Sequence, residues 1–186
     1  MEGCGVIVRT TLLILLAVPV RAETVTMAFQ WDGSGGYAVS GALQYDTRDV
    51  SGPLVRDSDL ICFHVDGTKD GAPIGHWGLR MLNEETDWRL FLDPEGSELL
   101  VEGMGVDMPQ AWNMDGFGTS CGTGGFGFNI GSAAQDLCLD GELLYESQVD
   151  PFRPFPVARV TDHAFPAYAC NAPALMSALP GVLPGG

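Results

Sequence analysis

After Glu23 the chain alternates between apolar and polar side chains with a period of two. Val25, Met27, Phe29 and Trp31 form the apolar half of the pattern, and the residues between them are small or polar. A period of two is typical of a half-buried β-strand, because successive side chains point to opposite faces of a sheet. No stretch of a dozen residues shows apolar positions three and four apart, so little helix is expected.

The same alternation predicts eight or nine short strands separated by turn residues. They are expected at residues 25–31, 37–45, 60–65, 74–82, 88–92, 99–102, 137–139, 142–145 and 157–161. The dipeptide Asp140-Gly141 between two of them is typical of a two-residue β-hairpin. We therefore predict an all-β single domain over residues 23–165, with an antiparallel β-sandwich or jelly-roll-like fold.

The interval 103–131 departs from this pattern, since its aromatic residues are set among glycines. We predict a long, ordered glycine-rich loop here, and loops of such length within a compact domain are usually functional. Trp112, Asp115 and Phe117 are the candidate ligand-binding residues, because flat rings beside amide and carboxyl groups are typical of sugar sites. The alternative is that Trp112 and Phe117 fold inward and cover one end of the sandwich.

Residues 1–22 have the three-part layout of a cleavable secretory signal peptide. Arg9 precedes a short apolar run, and Val20-Arg21-Ala22 supplies the compact residues of a cleavage site. The run is too short to span a membrane, which takes about 20 apolar residues. We expect cleavage after Ala22, a secreted or periplasmic location and no membrane span.

Cysteine usage supports export into an oxidising compartment. Cys4 lies in the predicted leader, which leaves Cys62, Cys121, Cys138 and Cys170. An even number in an exported chain predicts two disulfides, with three connectivities open. The close cysteine pairs of a zinc site are absent, which favours disulfides over a metal site. Among the three connectivities we favour Cys121–Cys138, which closes a glycine-rich loop, together with Cys62–Cys170.

The chain is strongly acidic, with a formal net charge of −15. Such a charge repels phosphates, so nucleic acid is not an expected partner. It is compatible with cations, and residues 66–71 resemble the first half of a calcium loop. Asp66 and Asp70 are the candidate calcium ligands, although Trp77 stands where such a loop has a bidentate glutamate. The alternative is a solvated turn between strands.

Two glycine-containing motifs suggest enzymes but lack the required surroundings. Residues 118–122 match G-x-S-x-G around Ser120, with His163 downstream, yet the flanking residues are poor strand and helix formers. Residues 122–127 match G-x-G-x-x-G without a βαβ unit around them. Neither motif predicts a catalytic site.

The leading hypothesis is a non-enzymatic exported β-sandwich that binds a carbohydrate or another extracellular ligand, with calcium as a candidate cofactor. One alternative is a small secreted hydrolase acting on glycans or esters. Another is a structural or interaction protein of the cell envelope, which would use the uncharged, proline-rich tail at 166–186. Part of that tail is expected to be disordered. His64 and His76 lie in strand patterns, and we interpret both as packed residues.

Overall fold

The computed structural model describes residues 23–171, and two antiparallel sheets within it confirm the predicted all-β sandwich. In spatial order, the larger sheet consists of β3 (Val55–Arg56), β7 (Phe91–Asp93), β8 (Glu98–Leu99), β13 (Phe155–Val160), β1 (Thr24–Asp32), β2 (Tyr37–Asp46), β4 (Leu60–Lys69) and β5 (Ala72–Gly78). The smaller sheet consists of β12 (Glu142–Val149), β11 (Gln135–Leu139), β10 (Phe126–Ile130), β9 (Gln110–Met114) and β6 (Asp87–Arg89). The predicted signal peptide and residues 172–186 of the predicted tail lie outside the described residues.

The first predicted hairpin is present along its whole length. β1 and β2 pair from Thr24 opposite Asp46 to Asp32 opposite Ala38. The apolar half of β1 is buried, as its alternation predicted. At the second predicted hairpin, Asp140 and Gly141 both have positive φ, which is the backbone of a type I′ turn.

An aromatic core joins the two sheets. The ring of Trp112, from β9, lies 5.2 Å from Phe29, 5.0 Å from Phe63 and 4.6 Å from Phe128 between centroids. Phe155 packs 5.8 Å from the same ring. Tilted and edge-to-face contacts of this kind are favoured by the charge distribution of aromatic rings. The core thus draws on strands that are distant in sequence.

The structure divides the interval 103–131, which we predicted to be one loop. It contains β9 and β10, two interior strands of the smaller sheet, and the glycine-rich loop is limited to residues 115–125. Glycine is required within β10 itself, because a Cβ at Gly127 would lie 2.8 Å from the carbonyl oxygens of Trp112 and Asn113. The close approach of a neighbouring strand therefore explains a glycine that resembles a loop residue in the sequence.

The predicted strand at 88–92 is also divided, because the chain changes sheets within it. β6 belongs to the smaller sheet and β7 to the larger one, and the fully buried Leu90 lies between them. β8, in turn, is shorter than the predicted strand at 99–102. The segment 88–92 therefore serves both layers of the sandwich.

A pair of glycines on the larger sheet receives a ring from the smaller one. Gly67 on β4 is opposite Gly75 on β5, and the ring of Phe126 lies against both. A Cβ at Gly75 would lie 2.7 Å from Cδ2 of Phe126, and a Cβ at Gly67 would be closer still. The absence of side chains at these two positions lets the sheets approach each other.

Both favoured disulfides are present. Cys62–Cys170 ties residues 161–171 to β4, and the Phe63 N–H donates a hydrogen bond of 2.8 Å to the Ala169 carbonyl beside it. Cys121–Cys138 ties the loop at 115–125 to β11. Two such bridges are typical of a protein that folds in an oxidising compartment.

Candidate functional site

A groove of about 680 Å³ lies on the outer face of the smaller sheet. Asn129 on β10 and Asp136 on β11 are cross-strand partners that alternate with core residues, so they point away from the core into the groove. The loop between β9 and β10 contributes Phe117, and β12 contributes Tyr145 and Gln148. We call this the aromatic groove and define it by these five residues.

The floor of the aromatic groove is a network of amides around a buried carboxyl. Gln148 donates a hydrogen bond of 3.0 Å to Asp136 Oδ2, and Asn129 donates one of 3.4 Å to Asp136 Oδ1. Burial raises the pKa of Asp136, and the two amide donors offset this only in part. Asn129 Oδ1 is buried and has no hydrogen-bond partner among the described residues. This oxygen lies beneath the loop at Gly118, where a Cβ would be 2.9 Å from it.

The first rim of the groove is Phe117, whose ring is 87% exposed. Asp115 holds the turn behind it, accepting hydrogen bonds from the Phe117 N–H at 3.2 Å and from the Thr119 N–H and hydroxyl at 2.7 Å. Burial alone would raise the pKa of Asp115, but these hydrogen bonds outweigh it and lower the pKa. Asp115 thus positions Phe117 and does not itself line the groove.

The second rim is Tyr145, which is 73% exposed and which the sequence analysis did not select. β12 bulges here, since Leu137 pairs with Leu144 while Gln135, two residues away, pairs with Val149. Within the bulge the Ser147 hydroxyl accepts a hydrogen bond of 2.9 Å from the Leu137 N–H, in place of a backbone carbonyl. Leu144 faces the core opposite Leu137, so the alternation of the strand turns the next residue, Tyr145, outward.

Trp112 is fully buried in the core and lies outside the groove. Its Nε1–H donates to Gln110 Oε1 at 3.2 Å, which satisfies its single polar group inside the protein. Its ring is therefore not available to a ligand. The Trp112 ring is folded inward, as the alternative prediction stated.

The structure does not support either catalytic motif. Ser120 lies in the glycine-rich loop, and strand β10 follows this loop. A nucleophile elbow requires a helix at that position. Its hydroxyl accepts a hydrogen bond of 3.2 Å from the Gly122 N–H. His163 lies on the outer face of the larger sheet, where its described hydrogen bond is to His64. The residues that would form a triad are thus not brought together.

A second depression, of about 530 Å³, lies on the outer face of the larger sheet. Its floor includes Ala28 and Ala158, which are cross-strand partners whose small side chains leave a hollow. His64 from β4 and His163 from the segment after β13 form its wall. We call this the histidine pocket and define it by these four residues.

A chain of hydrogen bonds holds the wall of the histidine pocket. The Tyr168 hydroxyl donates to Asp66 Oδ1 at 2.6 Å, and His64 Nδ1 lies 2.8 Å from Asp66 Oδ2. A carboxylate can only accept, so the network assigns the proton to His64 Nδ1 and leaves its Nε2 as an acceptor. His163 Nε2–H then donates to that atom across 3.0 Å. Burial lowers the pKa of His64 more than Asp66 raises it.

The histidines of the chain are gathered on this one face. His76 is exposed and stacks on Tyr168 with ring centroids 4.4 Å apart, while His64 is buried. Sequence separation hid the grouping, because His64 and His163 are 99 residues apart. His64 and His76 both lie on strands, as predicted, but the interpretation of both as packed residues holds for His64 and is wrong for the exposed His76.

The structure does not bring the two candidate calcium ligands together. Asp66 lies on β4 and accepts from His64 and Tyr168, while Asp70 lies at the β4–β5 turn, 3.9 Å from Lys69. Four residues along a strand separate them by about 13 Å. A single calcium ion, with ligand distances of about 2.3–2.6 Å, cannot bind both.

Within residues 23–171, no group of three or more histidine, cysteine, aspartate or glutamate side chains is arranged to hold a metal ion. In the same range, no helix is long and apolar enough to cross a membrane. Comparison with protein-family models, with curated proteins and with solved structures finds no match for this chain. The fold defines a two-sheet antiparallel sandwich, and its function has to be inferred from the aromatic groove and the histidine pocket.

Proposed function

We propose that this protein is a non-catalytic carbohydrate-binding module that uses the aromatic groove. The observation that carries the proposal is the combination of two exposed rings, Phe117 and Tyr145, with a floor of amide and carboxyl groups. Concave sites with apolar rims and a few converging polar groups are the usual form of small-ligand sites. A sugar ring matches both features, since it has an apolar C–H face and a rim of hydroxyls.

The unpartnered acceptor on the floor supports a ligand rich in hydroxyl donors. Leaving a buried polar atom such as Asn129 Oδ1 without a hydrogen bond destabilises a protein by about 1–3 kcal/mol. The oxygen has almost no accessible surface beneath Gly118, so a ligand hydroxyl reaches it only when this loop moves, and the bond would then remove the penalty. Asp136, when ionised, offers further acceptor positions beside it.

The charge of the protein favours a neutral glycan over an acidic one. With a formal net charge of −15, the chain repels uronic acids and sulfated sugars. Asp136 and Asp107 both line the groove, which strengthens the repulsion locally. Neutral hexose or pentose polymers are therefore the first ligands to screen.

Binding without turnover is supported by the bonding of Asp136. Both of its oxygens accept hydrogen bonds from amides, so it anchors the floor of the groove. Glycoside hydrolysis needs a second carboxyl at a set separation across the scissile bond, and Asp107 is the other carboxyl that lines the groove. Release of reducing sugar from a bound glycan, lost in Asp136→Asn, would instead establish the hydrolase alternative.

The test combines a glycan array with calorimetry on the hits, each with and without calcium. We expect Phe117→Ala and Tyr145→Ala each to weaken binding about tenfold, or about 1.4 kcal/mol. Phe152→Ala is the matched control, because Phe152 is 59% exposed and lies outside the groove. Equal effects of the three substitutions, or no binding to any glycan in either condition, would contradict the proposal.

We also infer that the protein acts outside the cytosol, in the periplasm or the external medium. The two disulfides support this inference, because such bridges persist in oxidising compartments. Amino-terminal sequencing of the protein recovered from its native host is expected to begin at Glu23. A protein that retains Met1 and in which all five cysteines are reduced would contradict it.

A further inference from the structure

The two imidazoles of the histidine pocket face each other through the same ring atom. Nε2 of His64 and Nε2 of His163 are 3.0 Å apart, and the ring planes differ by 23°. Both rings border an open hollow. The aromatic groove lies on the opposite outer face of the sandwich, so carbohydrate binding there gives no role to this pair.

We infer that His64 and His163 form a two-imidazole site for a transition-metal ion such as Cu²⁺, Ni²⁺ or Zn²⁺. Imidazole nitrogen suits these three ions, whereas calcium and magnesium prefer oxygen ligands. Metal–imidazole bonds of about 2.0–2.1 Å place two neighbouring ligand nitrogens about 2.9–3.4 Å apart, depending on the angle between the bonds. The separation of 3.0 Å lies within that range, although the rings now meet end to end and their nitrogens do not converge on one point until His163 tilts.

Asp66 provides the hydrogen-bond acceptor that metal-binding histidines usually have. A histidine that binds a metal through one nitrogen usually donates its other N–H to a carboxylate or carbonyl, which fixes the tautomer. His64 Nδ1 makes this bond to Asp66 Oδ2 at 2.8 Å. The Tyr168 hydroxyl holds the other carboxylate oxygen, so Asp66 cannot easily rotate away.

The ion replaces the proton that now lies between the two rings. The ring centroids are 5.2 Å apart, close to the end-to-end arrangement of an N–H···N hydrogen bond. Binding requires His163 to move its proton to Nδ1 and to tilt, and the segment 161–171 that carries it has no helix or strand. Solvent in the hollow supplies the remaining ligands, since the described residues around the pair provide two.

The test is calorimetric titration of the full chain, produced without a polyhistidine tag and with Cys4→Ser to exclude thiol binding. Chlorides of Cu²⁺, Ni²⁺, Zn²⁺ and Ca²⁺ are the probes, and we expect one transition ion per chain and no calcium at this site. Asp66→Asn should weaken binding about 10–100-fold, as loss of a metal ligand's hydrogen-bond partner commonly does. His76→Ala is the matched control and should bind as the unsubstituted chain does.

Electron paramagnetic resonance of the Cu²⁺ complex gives a second readout. We expect hyperfine coupling to two nitrogens in the parent chain and to one in His163→Gln, which keeps a polar side chain at this position. Thermal unfolding of each variant shows that it is folded before titration. Failure of the folded parent chain to bind any of the three transition ions would overturn the inference. Equal affinity in His64→Ala/His163→Ala would overturn it as well.

Discussion

Removal of either disulfide is expected to destabilise the protein, and the two losses differ in size. Cys62–Cys170 spans 108 residues of sequence and Cys121–Cys138 spans 17. A cross-link restricts the unfolded chain, and the restriction grows with the logarithm of the loop that it closes. This relation gives about 5 kcal/mol for the longer loop and about 3 kcal/mol for the shorter one.

The assay has to separate this effect from packing. Cys121 and Cys138 lie in a buried cluster, so their replacement by alanine also leaves a void. Each bridge is therefore measured as the sole disulfide, in Cys121→Ala/Cys138→Ala or in Cys62→Ala/Cys170→Ala. Urea denaturation of each variant with and without reductant then compares chains of identical composition. Reduction should lower the free energy of unfolding by about 5 kcal/mol in the first variant and about 3 kcal/mol in the second.

An equal loss in the two variants, or a larger loss for the shorter loop, would refute this reasoning. It would mean that the bridges act mainly on the folded state rather than on the unfolded chain. Hydrogen exchange at the Phe63 amide gives a local check, because that N–H bonds to the Ala169 carbonyl beside Cys170. Its exchange should accelerate when Cys62–Cys170 is reduced and stay unchanged when only Cys121–Cys138 is reduced.

Gly75→Ala should destabilise the protein by about 1–3 kcal/mol, because the new methyl group meets the Phe126 ring in a packed core. The loss should be smaller in a Phe126→Leu background, and an identical loss in both backgrounds by urea denaturation would contradict the assignment. Burial raises the pKa of Asp136 in the folded protein. The stabilising contribution of the protonated carboxyl is therefore fully present below the pKa of the unfolded chain, about 3.9, and is lost as the pH rises through the raised pKa of the folded protein. Over this pH interval the free energy of unfolding of the parent chain should fall relative to that of Asp136→Asn. Parallel pH profiles of the two proteins would exclude a raised pKa.

The strands that could be predicted are those whose burial alternates locally. β1 and β2 each have one buried face, so the period of two is visible without knowledge of their neighbours. β9 and β10 were missed because all five residues of each are buried, which removes the alternation. Gly127 and Asn113 are also residue types that are common in loops, and Asn113 has a positive φ.

The candidate site was predictable only where a single loop builds it. Phe117 and Asp115 are neighbours in one turn, and their residue types indicated a ligand site before any fold was known. Tyr145 points outward because Leu144 before it faces the core, but its place in the groove depends on the pairing of β12 with β11, which has no local signal. Asn129 was not identified because β10 was not predicted as a strand.

The passage of the chain through Leu90 has a mechanical consequence. Arg89 pairs within the smaller sheet and Phe91 within the larger one, so two consecutive peptide bonds connect the layers. A force that pulls the layers apart loads this covalent link as well as the side chains packed between them. The two layers, and with them the aromatic groove and the histidine pocket on their outer faces, therefore cannot separate at Leu90 without extension of the backbone itself.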